Sequence, residues 1–152
     1  MHQDPLVLLV EDDPQTREGY AEFLEIGGFQ VSQADSAEQA LAQALERPPD
    51  AVVTDIALPG RDGFSLATAL RGQPRTHEIP ILAMTAYWAT DAHDRARRSG
   101  ITAILAKPCQ PEHLIAELQR ALRQQRLPRV AQPATVTMTL AHPLEREAKS
   151  HS

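Results

Sequence analysis

The chain reads as an α/β protein, a doubly wound five-stranded parallel sheet built from five βα units. Three observations carry that reading. Short apolar runs alternate with segments of helical periodicity, the pattern of repeated βα units. Several of the runs are continuously apolar, as in strands covered by helices on both sides. Four of them end on residues suited to phosphoryl chemistry. Residues 6–10 run into Glu11-Asp12, 51–54 into Asp55, 81–84 into Thr85, and 104–106 into Lys107. A parallel sheet brings all four ends to one edge.

The elements follow in order. Strand 1 covers residues 6–10. The first helix starts at Pro14, where the missing N–H costs nothing. It carries Tyr20, Phe23 and Leu24 at helical spacing and stops at Gly27-Gly28. A weak second strand is expected over 29–32. The second helix has Ser36 as its cap and Ala37, Ala40, Leu41, Ala44 and Leu45 on one stripe, until Pro48-Pro49 breaks it. Strand 3 is 51–54. The loop at 58–63 leads to Asp62, a cap for a third helix carrying Phe64, Ala67 and Leu70. Strand 4 is expected over 79–84. The fourth helix, 91–99, is poor in large apolar residues and should be loosely held; Gly100 ends it. Strand 5 is 103–106. The fifth helix begins at Pro111 with Leu114, Ile115, Leu118, Ala121 and Leu122 as its stripe.

After Arg126 the composition shifts. Pro128, Pro133 and Pro143 interrupt any long helix. Residues 127–152 therefore read as a largely disordered tail after a domain at 1–126. An extended stretch at 136–140 is conceivable, but no partner strand for it is evident.

Composition excludes several classes of function. Net charge is −5, and an acidic body lacks the basic face that nonspecific nucleic-acid binding requires. The single cysteine, Cys109, rules out an internal disulfide, which fits a reducing compartment. The first residues have neither a basic region nor a long apolar stretch, so no signal peptide is expected. No apolar run approaches the ~18 residues of a membrane span. The expected location is the cytoplasm.

In doubly wound sheets, ligands bind beyond the carboxyl ends of the strands, where strand order reverses. With order 2-1-3-4-5 that point lies between strands 1 and 3, which deliver Glu11, Asp12 and Asp55. Three carboxylates in one crevice repel one another. A hard divalent cation such as Mg²⁺ relieves this, taking oxygen ligands and keeping several waters. A carboxylate can attack phosphorus to form an aspartyl phosphate. The transition state spreads charge over the transferred oxygens, so positive charge and hydroxyl donors around them are what catalysis needs. Lys107 and Thr85 are of the right type.

These residues carry a resemblance. The segments Leu8-Leu9-Val10-Glu11-Asp12-Asp13-Pro14, Thr54-Asp55-Ile56-Ala57-Leu58-Pro59 with Asp62-Gly63, Met84-Thr85-Ala86, and Lys107-Pro108 resemble the receiver domain of two-component response regulators. Order and spacing fit across about residues 5–126, and four motifs in register are far more specific than any one. The resemblance implies a flavodoxin-like fold and a phospho-acceptor switch in a His-Asp phosphorelay. It implies that Asp55 accepts the phosphoryl group. Asp12, Asp55 and the backbone carbonyl of Ala57 would ligate Mg²⁺, with Glu11 acting through water. Thr85 and Lys107 would bind the phosphate, and the Lys107-Pro108 bond would be cis. The donor would be a sensor histidine kinase or a histidine phosphotransfer protein. The chain would assist its own modification without being a conventional enzyme. It would exist as a monomer or a phosphorylation-dependent dimer. Output would pass to a downstream protein through the region of helix 4, strand 5 and helix 5, because no effector domain follows.

The pattern departs from the family at one switch position. The residue three before the lysine is usually Tyr or Phe and is here Ile104. Tyr87 and Trp88, just after Thr85, are two of six aromatics and are candidates to share the switching or to mark a binding surface. Ala57 and Tyr87 hold positions that tune phosphate loss in the family, and neither orients water strongly. A slow hydrolysis is expected. Ile104 also supports a different class of function, a pseudo-receiver that binds partners without phosphate. A phosphatase with an aspartate nucleophile would want a second Asp where Ala57 stands, and an FMN site would want a Ser/Thr/Gly-rich loop where Glu11-Asp12-Asp13 stands. Arg95, Arg97 and Arg98 read more readily as a solvated helix face than as a partner-binding patch. Cys109 reads as a packing residue, and the six histidines show no ligand spacing.

Overall fold

A computed structural model describes residues 3–86, 91–126 and 137–139. Its elements run β1 (Leu6–Val10), α1 (Pro14–Ile26), β2 (Gln30–Ala34), α2 (Ala37–Glu46), β3 (Ala51–Asp55), α3 (Gly63–Arg71), β4 (Ile81–Thr85), α4 (Ala92–Ser99), β5 (Ala103–Ala106), α5 (Pro111–Arg126) and β6 (Thr137–Thr139). The sheet order is β2-β1-β3-β4-β5-β6, with every pairing parallel.

The strands are continuous apolar runs because both faces are covered. In β1, β3 and β4 every residue is buried. Successive side chains point to opposite faces, and the core divides accordingly. Leu8, Val10, Val52, Ile81, Ala83 and Ile104 pack under α2, α3 and α4, while Val7, Leu9, Val53, Leu82, Met84 and Leu105 pack under α1 and α5. Burying each such side chain contributes roughly 1.5–3 kcal/mol.

The helix starts obey capping chemistry. Ser36 accepts from the Gln39 N–H and Asp62 from the Ser65 N–H, each satisfying one orphan donor of a first turn. Asp91 precedes α4 without a side-chain cap bond.

The expected five strands and their order 2-1-3-4-5 are present, and the bounds of three strands differ. Strand 2 covers Gln30–Ala34 instead of 29–32: the Phe29 N–H is taken by the Leu24 carbonyl at 3.0 Å, so it closes α1 and cannot join the ladder. Strand 4 begins at Ile81. Pro80 has no N–H to give, and the Ile79 carbonyl is held by Arg71 at 2.6 Å. Strand 3 runs one residue further, to Asp55.

The larger difference is β6. Residues 137–139 pair in parallel with β5, Ala103↔Thr137 through Leu105↔Thr139. They belong to the segment expected as a disordered tail, and the remainder of that segment lies outside the described residues. The physical reason is at the sheet margin. The edge of β5 would otherwise present an unpaired row of N–H and C=O groups, and the backbone of 137–139 pairs with it.

One side chain holds the α3–α4 side together. The Arg71 guanidinium donates from Nε and Nη2 to the Gly100 carbonyl at 2.9 and 2.7 Å, and from Nη1 to the His77 and Ile79 carbonyls at 2.9 and 2.6 Å. It thereby ties the end of α3 to the α3–β4 loop and to the end of α4. Gly100 has φ +87, and a Cβ there would lie 2.7 Å from the Arg71 side chain. Both the left-handed backbone and the close approach require glycine.

Candidate functional site

The sheet register assembles the site. Val10 pairs with Thr54, Asp55 with Met84, and Thr85 with Ala106. The next residues, Glu11 and Lys107, therefore leave the sheet at the same edge as Asp55 and Thr85. Glu11, Asp55 and Thr85 are buried polar residues, whereas Asp12 is exposed.

Lys107 is the centre of the arrangement. Its Nζ donates to Asp55 Oδ2 at 2.7 Å and to Glu11 Oε1 at 3.0 Å. Burial alone would lower the ammonium's pKa. The hydrogen bonds to Asp55 and Glu11 and the negative charge of both outweigh that and hold it above the ordinary lysine value. Such charge-assisted bonds are roughly twice as strong as neutral ones.

The remaining carboxylate oxygens also have partners. Glu11 Oε2 accepts the Asp13 N–H at 3.1 Å, and Asp55 Oδ1 accepts the Ala57 N–H at 3.1 Å. Glu11 thus has both oxygens occupied, while Asp12 faces solvent. Ligand oxygens of Glu11, Asp12 and Asp55 lie within 4.8 Å of one another. That spacing and donor chemistry fit a hard divalent cation.

Asp13, next in the acidic run, does something else. Its carboxylate caps α1, accepting from the Thr16 N–H at 2.9 Å and the Thr16 hydroxyl at 2.6 Å. Those bonds hold its pKa below the usual carboxylate value.

The backbone around Asp55 is tightly fitted. The Gly63 N–H donates to the Ile56 carbonyl at 2.8 Å, which lays the start of α3 against the end of β3. A Cβ at Gly63 would lie 2.6 Å from the Asp55 carbonyl oxygen. Only glycine lets the helix come this close.

Two positioning contacts escaped the sequence analysis. Arg17 donates from Nη1 to the Glu11 carbonyl at 2.9 Å and from Nε to Gln33 Oε1 at 3.1 Å, bolting α1 to the ends of β1 and β2. The Tyr20 hydroxyl donates to the Cys109 carbonyl at 2.9 Å, anchoring the turn after Lys107 to α1. No motif marks either residue, because each acts through a backbone carbonyl that any residue supplies. The Lys107-Pro108 bond is cis, as the resemblance implied.

Ile104, the atypical switch position, is 1% exposed and packed in the core beneath α3 and α4. Tyr87 and Trp88 lie outside the described residues. Cys109 is buried and donates weakly to the Gln110 carbonyl at 3.6 Å. Burial pushes its thiol up to about 11, so it is protonated and inert near neutrality.

The chain is similar to several known proteins. It is 34% identical over 118 residues to the phosphate regulon transcriptional regulatory protein PhoB of Pseudomonas aeruginosa, covering 78% of this chain and 52% of that protein. It thus spans about half the length of this relative. It is 37% identical over 114 residues to an uncharacterized 14.6 kDa protein of Leptolyngbya boryana, covering 75% of this chain and 87% of that one. Among solved structures, the chemotaxis response regulator CheY4 of Vibrio cholerae superposes with a TM-score of 0.73 at 30% identity, covering 78% of this chain and 98% of that one. Residues 7–119 match the family model of the response regulator receiver domain, and the chain belongs to that family.

Proposed function

We propose that this receiver domain takes a phosphoryl group on Asp55 from a phosphohistidine, carried by a sensor histidine kinase or a histidine phosphotransfer protein. The observation that carries the reading is the bridging ammonium: Lys107 Nζ lies within hydrogen-bond distance of Asp55 and Glu11 at the strand ends.

Asp12, Asp55 and the carbonyl of Ala57 would hold Mg²⁺, with Glu11 reaching it through water because Lys107 and the Asp13 N–H already occupy its oxygens. The ion would neutralise charge on the phosphoryl oxygens in transfer. A carboxylate oxygen of Asp55 attacks phosphorus. The new O–P bond forms as the histidine N–P bond breaks, and the imidazole leaves with the electron pair. The Ala57 N–H steadies the Asp55 carboxylate during approach. Lys107 passes from Asp55 to a phosphoryl oxygen as the carboxylate charge is consumed, and the Thr85 hydroxyl donates to another. Catalysis of this kind rests on positioning and electrostatics, so the chain acts on itself and is not a conventional enzyme.

Phosphorylation then biases a two-state equilibrium. Ile104 has no hydroxyl and lies wholly in the core, so the readout at this position is a packing change beneath α3 and α4. The downstream protein reads the altered surface around α4, β5 and α5, as a monomer or a phosphorylation-dependent dimer in the cytoplasm. Among the described residues no helix is long and apolar enough to cross a membrane. The buried Ile104 also favours a rival reading, a pseudo-receiver that binds partners without phosphate.

One experiment separates the two. The protein is treated with acetyl phosphate, with and without Mg²⁺, beside Asp55→Asn, and read by intact mass. A receiver gains one phosphoryl group only with Mg²⁺ and only with Asp55 intact, and loses it slowly, as expected from Ala57. No gain in any arm leaves the pseudo-receiver.

A further inference from the structure

Arginines gather on an otherwise acidic protein in the trough between α3 and α4. The trough encloses about 420 Å³, with Arg61, Arg95, Arg98, Ser65, Thr68 and Ser99 on its walls. Arg61 stands in the loop before α3. Arg95 and Arg98 are three apart on α4 and so face the same way. The one acidic residue on the lining is Asp62.

The three guanidiniums are in different states. Arg95 sits 3.6 Å from Asp62 and stacks over the Phe64 ring, 4.2 Å from its centroid. Those contacts hold it as a fixed part of the trough wall. Arg61 and Arg98 are exposed, and neither makes an ion pair or hydrogen bond among the described residues. Arg97, by contrast, pairs with Asp94 at 3.1 Å and does not line the trough. Two exposed guanidiniums with no partner among the described residues therefore share the trough with a third that is paired.

We infer that the α3–α4 trough binds an acidic peptide segment of a partner protein, its carboxylates paired with Arg61 and Arg98. Guanidinium forks match carboxylates in a planar, two-bond geometry. The lining runs over more than one turn of both helices, Phe64 to Ala69 and Arg95 to Ser99, a length that suits a chain segment better than a single small anion. The Phe64 and Ala69 side of the lining suits the apolar part of a peptide. By sequence alone Arg95, Arg97 and Arg98 read as one solvated helix face. The tertiary structure separates Arg97 from the other two and adds Arg61 from a distant loop.

The test uses a fluorescein-labelled hexaglutamate peptide, with anisotropy read at low salt. The intact protein binds it saturably. Arg61→Gln/Arg98→Gln weakens binding about tenfold, in line with the loss of two exposed pairs. The charge-matched control Arg97→Gln/Arg123→Gln changes it less than about twofold. Both pairs are exposed, and circular dichroism verifies their fold. Added salt weakens binding by screening. Three results would overturn the inference: no saturable binding, equal loss in both double variants, or displacement by inorganic pyrophosphate at lower concentration than by unlabelled peptide. The last would make the trough a small-anion site. Asp55→Asn binds the peptide like the intact protein, so a failure here leaves the phosphoryl-transfer reading standing, and the reverse.

Discussion

Helix α3 buries Gly63, Phe64, Leu66, Ala67 and Leu70, whereas its neighbour α4 buries Ala92 and Ala96. The first starts with a side-chain cap, Asp62 to the Ser65 N–H at 2.9 Å, and the second has none. The first is stitched to the Asp55 strand through Gly63. The second is held by two small buried residues, by Arg71 at Gly100 beyond its C-terminus, and by Arg95 at its middle through Asp62 and Phe64. Apolar burial sets most of the cost of displacing a helix. Helix α3 is therefore the fixed backing of the Asp55 strand. Helix α4, with the smaller buried face, is the element that shifts at least cost.

The largest expected effect falls on α3. Leu70→Ala removes a side chain that is 1% exposed and should destabilise the domain by roughly 2–5 kcal/mol in urea unfolding. Ala96→Gly, at an equally buried position of α4, should cost only about 1 kcal/mol, the propensity difference. Equal costs would erase the contrast between the helices.

A smaller effect is expected where the two helices are joined. Arg71→Met leaves the Gly100, His77 and Ile79 carbonyls without their donor, at a cost of about 1–3 kcal/mol. Its sharper signature is local. Amide hydrogen exchange should speed up in α4 and the α4–β5 turn while α3 keeps its protection. Uniform acceleration across both helices would show that Arg71 serves global stability instead.

The smallest effect sits at the helix starts. Asp62→Ala should cost about 1 kcal/mol by loss of the cap and also free Arg95 from its ion pair. Asp91→Ala, with no cap bond to lose, should be close to neutral. A substantial cost at Asp91 would mean that α4 is better anchored than its burial indicates.

Much of the candidate site's placement was legible in the sequence. Glu11, Asp12, Asp55, Thr85 and Lys107 each follow a continuously apolar run, so the order of βα units placed them at one edge. The loose fourth helix was legible too, from its lack of large apolar residues. Arg71 and Arg17 were not: a lone arginine in a helix signals nothing, and both bind carbonyls. Gly63 showed as a loop residue and as part of the Asp62-Gly63 match; its approach to the Asp55 carbonyl depends on how α3 lies on the sheet.

The sequence by itself determined the succession of strands and helices and the chemistry waiting at the strand ends. Apolar periodicity, caps and breakers act over a few residues and can be read along the chain. Only the tertiary structure decided which groups pair. Lys107 meets Glu11 across 96 positions and Asp55 across 52, Arg71 reaches Gly100 across 29, Arg61 joins Arg98 in one trough, and residues 137–139 extend the sheet beyond β5. Such pairings are set by how closely the elements pack around a common core, and a polar side chain's partner depends on the carbonyl or carboxylate that packing brings within about 3 Å.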